Sequence, residues 1–468
     1  MNGIDRELPG VNPGVEVIEE PRFGPNMAGD LAHRQHRQRR IKQAWGSAIL
    51  SKVATIGVQM LAVPLVYRAL GEGGYAAYAA VTASAGLIGI LNLGIGGSLV
   101  TPIAEAAARS DERRQAVLVQ AGLIPLVLIC LLGSIAIIPV VAFVPLSTLF
   151  GRVGATGSLD LRVAALIAVS ATLAAVPLSA VIFLRQAYQE MHFTSLIGAA
   201  SNTFILVALV VATKLSTALA VFVAIFVVVP VAAHALNLTL LFTKRRFLLR
   251  KDGRSTWADG RHILADGLRY LGASFSYVLI FQWPVYWIAR SLPASTSAWF
   301  AICVQAVVLP IGFVIGFLQP LWSSTADAKA RADHHWLDHQ IKRGRAVTLA
   351  VGGSAFFVFL FFGERLIHLW LRKPVSLDLL VRGLMGAYIL LAIWEYFHFM
   401  LALGLGRLRE ATAAVFQRSV AFAIAVPLLT MIGGVRAIWC GMCCSVLIWT
   451  AWRLPRLLHA QPITESQG

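Results

Sequence analysis

Apolar and polar positions alternate along this chain in long blocks. Twelve apolar segments can be read, at roughly 44–66, 75–99, 117–138, 163–184, 196–213, 218–242, 267–289, 298–319, 346–368, 379–403, 413–432 and 435–454. Each is close to the ~20 residues that an α-helix needs to cross about 30 Å of hydrocarbon. Lys214–Thr217 alone parts the fifth from the sixth, and Gly433–Gly434 parts the last two, which predicts two tight helical hairpins. Pro64, Pro125, Pro177, Pro230, Pro284, Pro310 and Pro427 fall inside segments. Each removes a backbone donor, which a membrane helix tolerates where a neighbour satisfies the freed carbonyl.

The pattern also repeats. Shifted by 222 residues, Thr101–Asp111 (TPIAEAAARSD) lies over Ser323–Asp333 (SSTADAKARAD) with five of eleven positions identical. The same shift sets Arg68 on Arg290, Gly94 on Gly316 and Arg185 on Arg407. Six helices separate the copies. An even number inserts both halves in the same direction, as parallel repeats related by an axis along the membrane normal. The expected divisions are a disordered tail 1–43, a six-helix bundle 44–242, a basic linker 243–266, a second six-helix bundle 267–454 and a tail 455–468.

Composition narrows the class. The chain is 57% hydrophobic and 13% charged, against about 25% charged in soluble domains. Its net charge of +17 comes from arginines and lysines crowded into alternate loops, so it reflects topology and not nucleic-acid binding. Arg109, Arg113, Arg114, the run from Lys244 to Arg261, Lys329 to Arg345, Arg407, Arg409, Arg453 and Arg456 lie on one side. Fewer, among them Arg68, Arg152, Arg162, Lys214, Arg290, Arg365, Arg372, Lys373 and Arg436, lie on the other. The positive-inside rule then expects a multi-pass membrane protein with both termini cytoplasmic. The five cysteines fall within apolar segments; Cys440, Cys443 and Cys444 lack the second ligand cluster of a zinc site and read as packing residues. The longest outer loop, about 139–162, holds Arg152, Asp160 and Arg162 as its charged residues, too little for a membrane enzyme. No phosphate-cradling glycine loop is present either.

Four stretches carry a family likeness: Tyr67–Tyr78 (YRALGEGGYAAY), Leu91–Arg114 (LNLGIGGSLVTPIAEAAARSDERR), Gln319–Trp336 (QPLWSSTADAKARADHHW) and Gly404–Glu410 (GLGRLRE), the last preceded by GERLIHLW at Gly363–Trp370. In these the chain resembles the polysaccharide-repeat flippases (Wzx-type oligosaccharide-lipid translocases) of the multidrug/oligosaccharidyl-lipid/polysaccharide (MOP) exporter superfamily. The resemblance implies an all-α integral membrane fold, about twelve transmembrane helices in two parallel six-helix repeats forming a V-shaped pair of bundles. It implies alternating-access transport of undecaprenyl-pyrophosphate-linked oligosaccharide for O-antigen, capsule or exopolysaccharide. Implied partners are membrane lipids, a polysaccharide polymerase and a chain-length regulator. No cofactor is implied, and the energy source is left between H+ and Na+. Relatives often carry an acid at the position of Asn92 and another near Trp283, so a coupling scheme through those acids does not transfer. A multidrug extruder of the same superfamily is the alternative, and it would favour acidic cavity residues for cationic drugs.

Polar residues inside apolar segments are the candidate site, because a charge in mid-bilayer costs about 2.5–3.5 kcal/mol and must face protein or water. Lys52 and Asn92 can share a depth near the inner side, and Lys52 could grip a phosphate or simply snorkel. Arg269 opens the seventh helix. Arg68 and Arg290, related by the repeat, form either interfacial anchors or a cationic rim at the exit. Gln59, Gln282 and Gln305 supply amides, and Trp287 with Trp283 and Tyr286 a surface for stacking sugars or an interfacial belt. Glu395 and Arg418 lie at similar depth on adjacent antiparallel helices and are expected to form a structural ion pair, with proton coupling as the other role. The topology has a direct test: reporter fusions after Lys373 should read as external and fusions after Lys251 as internal, and the reverse at either site would overturn it.

Overall fold

Positive-φ glycines mark where apolar helices double back. The first helix, α1, is continuous by hydrogen bonding over Met27–Ile88, but Gly71 within it sits at φ 68°, ψ −173° and joins two separate helices. The rings of Tyr67 and Tyr75, on either side of it, meet edge-on at 5.7 Å. Gly434 (φ 56°) does the same inside Leu408–Trp449. A Cβ on Gly441 would come within 2.5 Å of Leu429 and 3.4 Å of Phe422. In one straight helix these residues would stand roughly 18 and 28 Å away, at 1.5 Å per residue. Only glycine takes such angles without strain.

The structure is a computed structural model. It describes the backbone of residues 27–92, 94–155, 158–249, 261, 263–265, 267, 271–272, 275–318, 320–330, 333–373 and 376–458, with side chains from residue 54 onward except 108, 320, 323, 327 and 330. After α1 and a 3-10 turn at Gly89–Asn92 come α2 Ile95–Ala108, α3 Glu112–Phe143, α4 Leu146–Gly154, α5 Leu159–Leu178, α6 Ala180–Ala187, α7 Met191–Leu215 and α8 Leu219–Lys244. The second half holds a π-helical turn at Val278–Gln282 running into α9 Trp283–Ser291, then α10 Ala294–Leu318, α11 Pro320–Ala330, α12 His334–Leu371, α13 Leu379–Gly404, α14 Leu408–Trp449 and α15 Arg453–Leu457. Nine helices among the described residues are long and apolar enough to span a membrane. Two of them are the hairpins at Gly71 and Gly434, and the broken seventh crossing completes twelve, in two six-helix bundles.

Three sequence expectations shift. Helix α1 begins at Met27, inside the stretch read as a disordered tail, because Arg, Gln, Lys and Ala favour helix without an apolar signature. The outer loop 139–162 contains α4, too short to be seen as an apolar segment. Helices α3 and α12 start at Glu112 and His334, well before their apolar parts, where Asp111 and Asp333 cap them by accepting from Arg114 N and Trp336 N.

Three helix interruptions are matched by side-chain donors. Proline frees the carbonyl four residues before it. The indole N–H of Trp370 donates to Met60 O, four before Pro64. That of Trp283 donates to Ala423 O, four before Pro427, at 3.0 Å. That of Trp394 donates to Ala451 O, four before Pro455, at 3.0 Å. Three tryptophans thus satisfy three proline-freed carbonyls from other helices, which hydrocarbon could not do.

Two ionic clusters stabilise the halves. In the second, Arg418 donates to Glu395 at 2.5 Å with the two side chains 4% and 9% exposed, the pair expected from their matched depth. In the first, Glu190, in the turn between α6 and α7, accepts from Arg185 at 2.6 Å, Lys244 at 2.7 Å and Arg245 at 2.9 Å. Arg185 is itself buried and also donates to Asn237 Oδ1 at 3.0 Å. Burial alone would raise the Glu190 pKa, but the hydrogen bonds from Arg245, Lys244 and Arg185 hold it down, from its ordinary 4.5 to about 2.

Two outcomes are expected. A carboxylate whose pKa is lowered on folding contributes stability that is full above 4.5 and is lost as pH falls toward 2. Purified wild type should therefore lose thermal stability across that window, and Glu190→Gln should flatten the loss; an unchanged acid profile would count against the cluster. Breaking a buried ion pair costs about 3–5 kcal/mol. Glu395→Gln and Arg418→Gln should each lower the folded protein recovered from membranes, with partial recovery in the charge-swapped double variant. A fully folded Glu395→Gln whose transport has lost its pH dependence would favour the coupling role instead.

Candidate functional site

The way the core is divided locates the site. One hydrophobic cluster runs across both halves, from Val58–Ala85 and Val141–Val223 to Ile280–Ile311, Ile367–Ile393 and Phe422–Val446. Near the basic loops the core splits. One cluster there belongs to the first half and the segment entering the second, including Ile95, Leu118, Leu184, Leu241 and Ile263. Two others, around Phe399, Ala411 and Leu454 and around Ile341, Phe397 and Leu401, belong to the second half. The halves are joined on the face away from the basic loops and parted on the basic face.

A cavity of about 300 Å³ fills the parting. Gly89, Ile90, Asn92, Gly94, Gly97 and Phe183 line it from the first half. Leu271, Phe275, Val278, Trp322, Phe399, Met400, Leu403, Leu408 and Thr412 line it from the second. Gly94, at φ 68°, lets the two halves touch at the edge of this cavity: a Cβ there would lie 2.2 Å from Gly267 O. Beside it Ser98 Oγ donates to Ile263 O at 3.0 Å. Asn92 Oδ1 and Thr412 Oγ1 are buried with no hydrogen-bond partner among the described residues. Leaving such an atom unsatisfied costs about 1–3 kcal/mol, a cost that donors in the cavity would relieve once a movement of the lining turned these oxygens toward it. None of its described lining residues is charged.

Deeper between the halves is a second cavity of about 40 Å³. Tyr75, Tyr78, Thr82, Tyr277, Gln282 and Gln305 give it a polar lining. The π-helical turn ends at Gln282, whose side chain packs on Gly86 so closely that a Cβ there would lie 3.0 Å from Gln282 Cγ. An extra residue in a helical turn rotates the remainder of the helix about its axis, and such turns recur at functional sites.

The expected site residues separate accordingly. Asn92 lines the large cavity, and Gln282 and Gln305 line the small one. Gln59 is exposed on α1 and lines neither. Trp287 packs on Trp283 at 5.5 Å between ring centres and lies outside both cavities, while the Trp283 N–H is used on Ala423 O. Arg68 and Arg290 stand on the joined face, each donating to a carbonyl of the opposite half. Glu395 and Arg418 pair within the second half. Arg269 and the Lys52 side chain lie outside the described residues. Sequence reading passed over Phe183, Phe275, Trp322, Phe399 and Thr412; in segments apolar on every side, nothing distinguishes a cavity-facing aromatic from a lipid-facing one.

Comparison with known proteins agrees with this architecture. A family model described as "Polysaccharide biosynthesis protein" matches residues 41–326. No curated protein matches the chain. Among solved structures, the inward-facing conformation of a multidrug resistance MATE family transporter of the MOP superfamily superposes with a TM-score of 0.68 at 13% identity, covering 88% of this chain and 98% of that one. The outward-facing conformation of a MATE transporter gives 0.62 at 13% identity, covering 89% and 95%. A MOP superfamily transporter from Pyrococcus furiosus gives 0.64 at 15% identity, covering 90% and 96%. At these identities the likeness is one of fold, and the family match carries the rest: this multi-pass membrane chain belongs to the polysaccharide biosynthesis protein family, built on the two-bundle fold of MOP-superfamily transporters.

Proposed function

We propose that the chain carries a lipid-linked oligosaccharide, its sugars joined through pyrophosphate to a polyprenyl chain, across the bacterial cytoplasmic membrane by alternating access. The basic loops then mark the cytoplasmic face, and the large cavity is where the headgroup enters. The observation that carries this reading is the chemistry of that cavity. Its described lining is neutral and rich in aromatic rings, with the Asn92 and Thr412 acceptors unpartnered. Sugars match it: their hydroxyl groups donate to such acceptors and their carbon faces stack on rings. A cationic drug would instead call for a carboxylate, and none of the described residues lining either cavity is acidic. The family match to polysaccharide biosynthesis supports the same cargo.

The phosphates need cations that can replace their water. Lys52 and Arg269 are proposed for that task on the entry side. Gln282 and Gln305 are proposed to meet the sugars at mid-depth, once the small cavity between the halves widens.

Deleting the gene should abolish surface polysaccharide while lipid-linked repeat units accumulate on the cytoplasmic side. Lys52→Ala, at normal membrane abundance, should fail to restore polymer, and Lys52→Arg, which keeps the charge in a different shape, should restore part. Normal polymer in the deletion strain together with lost drug resistance would replace this reading with multidrug extrusion.

A further inference from the structure

The face that joins the halves is fastened by a bond that occurs twice. Arg68 of the first half donates to Leu371 O of the second at 3.3 Å. Arg290 of the second half donates to Leu149 O of the first at 3.1 Å, and also to Thr148 O. The two bonds are images of each other: 290 less 68 and 371 less 149 both give 222 residues, the spacing of the sequence repeat. Donor and acceptor therefore exchange halves under the same pseudo-twofold axis. Leu371 is the last residue of its helix, and Leu149 precedes the break that Gly151 (φ 56°) makes inside α4, places where carbonyls lose their partners within the helix.

Each bond is backed by local packing. On the Arg290 side, Tyr286 OH donates to Leu149 O at 2.6 Å, and Gly151 presses so closely that a Cβ would meet Arg290 O at 2.1 Å. On the Arg68 side, the ammonium of Lys373 sits 4.8 Å from the centre of the Tyr67 ring.

We propose that Arg68 and Arg290 are a reciprocal latch that holds the transporter closed on this face while the basic face is open, and that both let go together when access reverses. Three features set them apart from interfacial anchors. An anchoring arginine would reach outward to lipid phosphate, whereas both of these donate across the seam between the halves. Neither shows a carboxylate partner among the described residues, so release strands no buried acid. Arg68 is exposed and Arg290 half-buried, so water can take over their hydrogen bonds as the seam opens. The Glu395–Arg418 pair, buried within one half, has none of these properties.

The inference rests on reading the chain as an alternating-access transporter, but its test needs no substrate. Thr82→Cys reports on the small cavity and Trp322→Cys, at an exposed position of the lining, on the large one, with the parent chain giving the background from native cysteines. Each would be labelled in membrane vesicles with an impermeant maleimide, from either side. Arg68→Ala and Arg290→Ala should each raise Thr82→Cys labelling from the latched face roughly tenfold, as expected for losing one charge-assisted hydrogen bond. Each should also lower Trp322→Cys labelling from the basic face. Arg68→Lys and Arg290→Lys, which keep a donor, should fall between and carry the test if the alanine variants do not accumulate. Unchanged Thr82→Cys labelling would overturn the latch, as would an effect from only one arginine. A rise at both reporter sites would also overturn it, because that marks general loosening. A normal polysaccharide phenotype in the deletion strain would sink the proposed cargo and leave this result standing.

Discussion

Hydrocarbon offers no hydrogen-bond partner, and that single lack shapes much of this structure. Every backbone carbonyl that a turn or a proline releases must be met from elsewhere in the protein. The chain meets the need with its longest donors. Tryptophan indoles reach carbonyls ahead of Pro64, Pro427 and Pro455, and arginines reach helix ends. Arg162, for instance, caps α3 through the carbonyls of Val141, Ala142 and Val144. Residues that look like a scatter of interfacial aromatics and cations in the sequence thus form a network that stitches helices together where their own bonding fails.

The same need explains why the two halves differ in how they hold together. Within a half, the polar contacts include buried ones: the Glu395–Arg418 pair, and Arg185 among Glu190 and Asn237. Between the halves, beside the shared apolar cluster, the arginine contacts of the joined face lie within reach of water, and they use neutral carbonyls as acceptors. Dry contacts hold one arrangement. Contacts that water can replace allow two.

Much of this was legible in the sequence. Apolar length alone located the crossings, since a span must be about 20 residues whatever its fold. The repeat gave the relation between the halves, and opposite charges at equal depth on neighbouring spans gave Glu395 with Arg418. Other features left no trace. The short helix α4 and the early starts of α1, α3 and α12 fall in polar sequence, where helix carries no apolar signature. Gln282 and Gln305 could be picked out as candidates together with Gln59, but which of them turns inward depends on helix rotation, and a segment apolar all round does not encode that. The acceptors of Arg68 and Arg290 were invisible for a simpler reason: they are backbone atoms, and a backbone atom has no letter.

The Glu395–Arg418 pair also bears on how the protein is made. The two residues stand 23 positions apart, one on each of two consecutive spans joined by a short turn at Leu405–Arg407. A span entering the lipid alone with either charge would carry the cost of that charge unrelieved, about 2.5–3.5 kcal/mol at the helix centre on an insertion scale. If both spans leave the insertion machinery as one hairpin, the charges neutralise each other before they meet the acyl chains. The pair would then set the order of biogenesis, making the tenth crossing wait for the eleventh. The first half, which has Leu173 and Leu196 at the corresponding positions, would need no such pause.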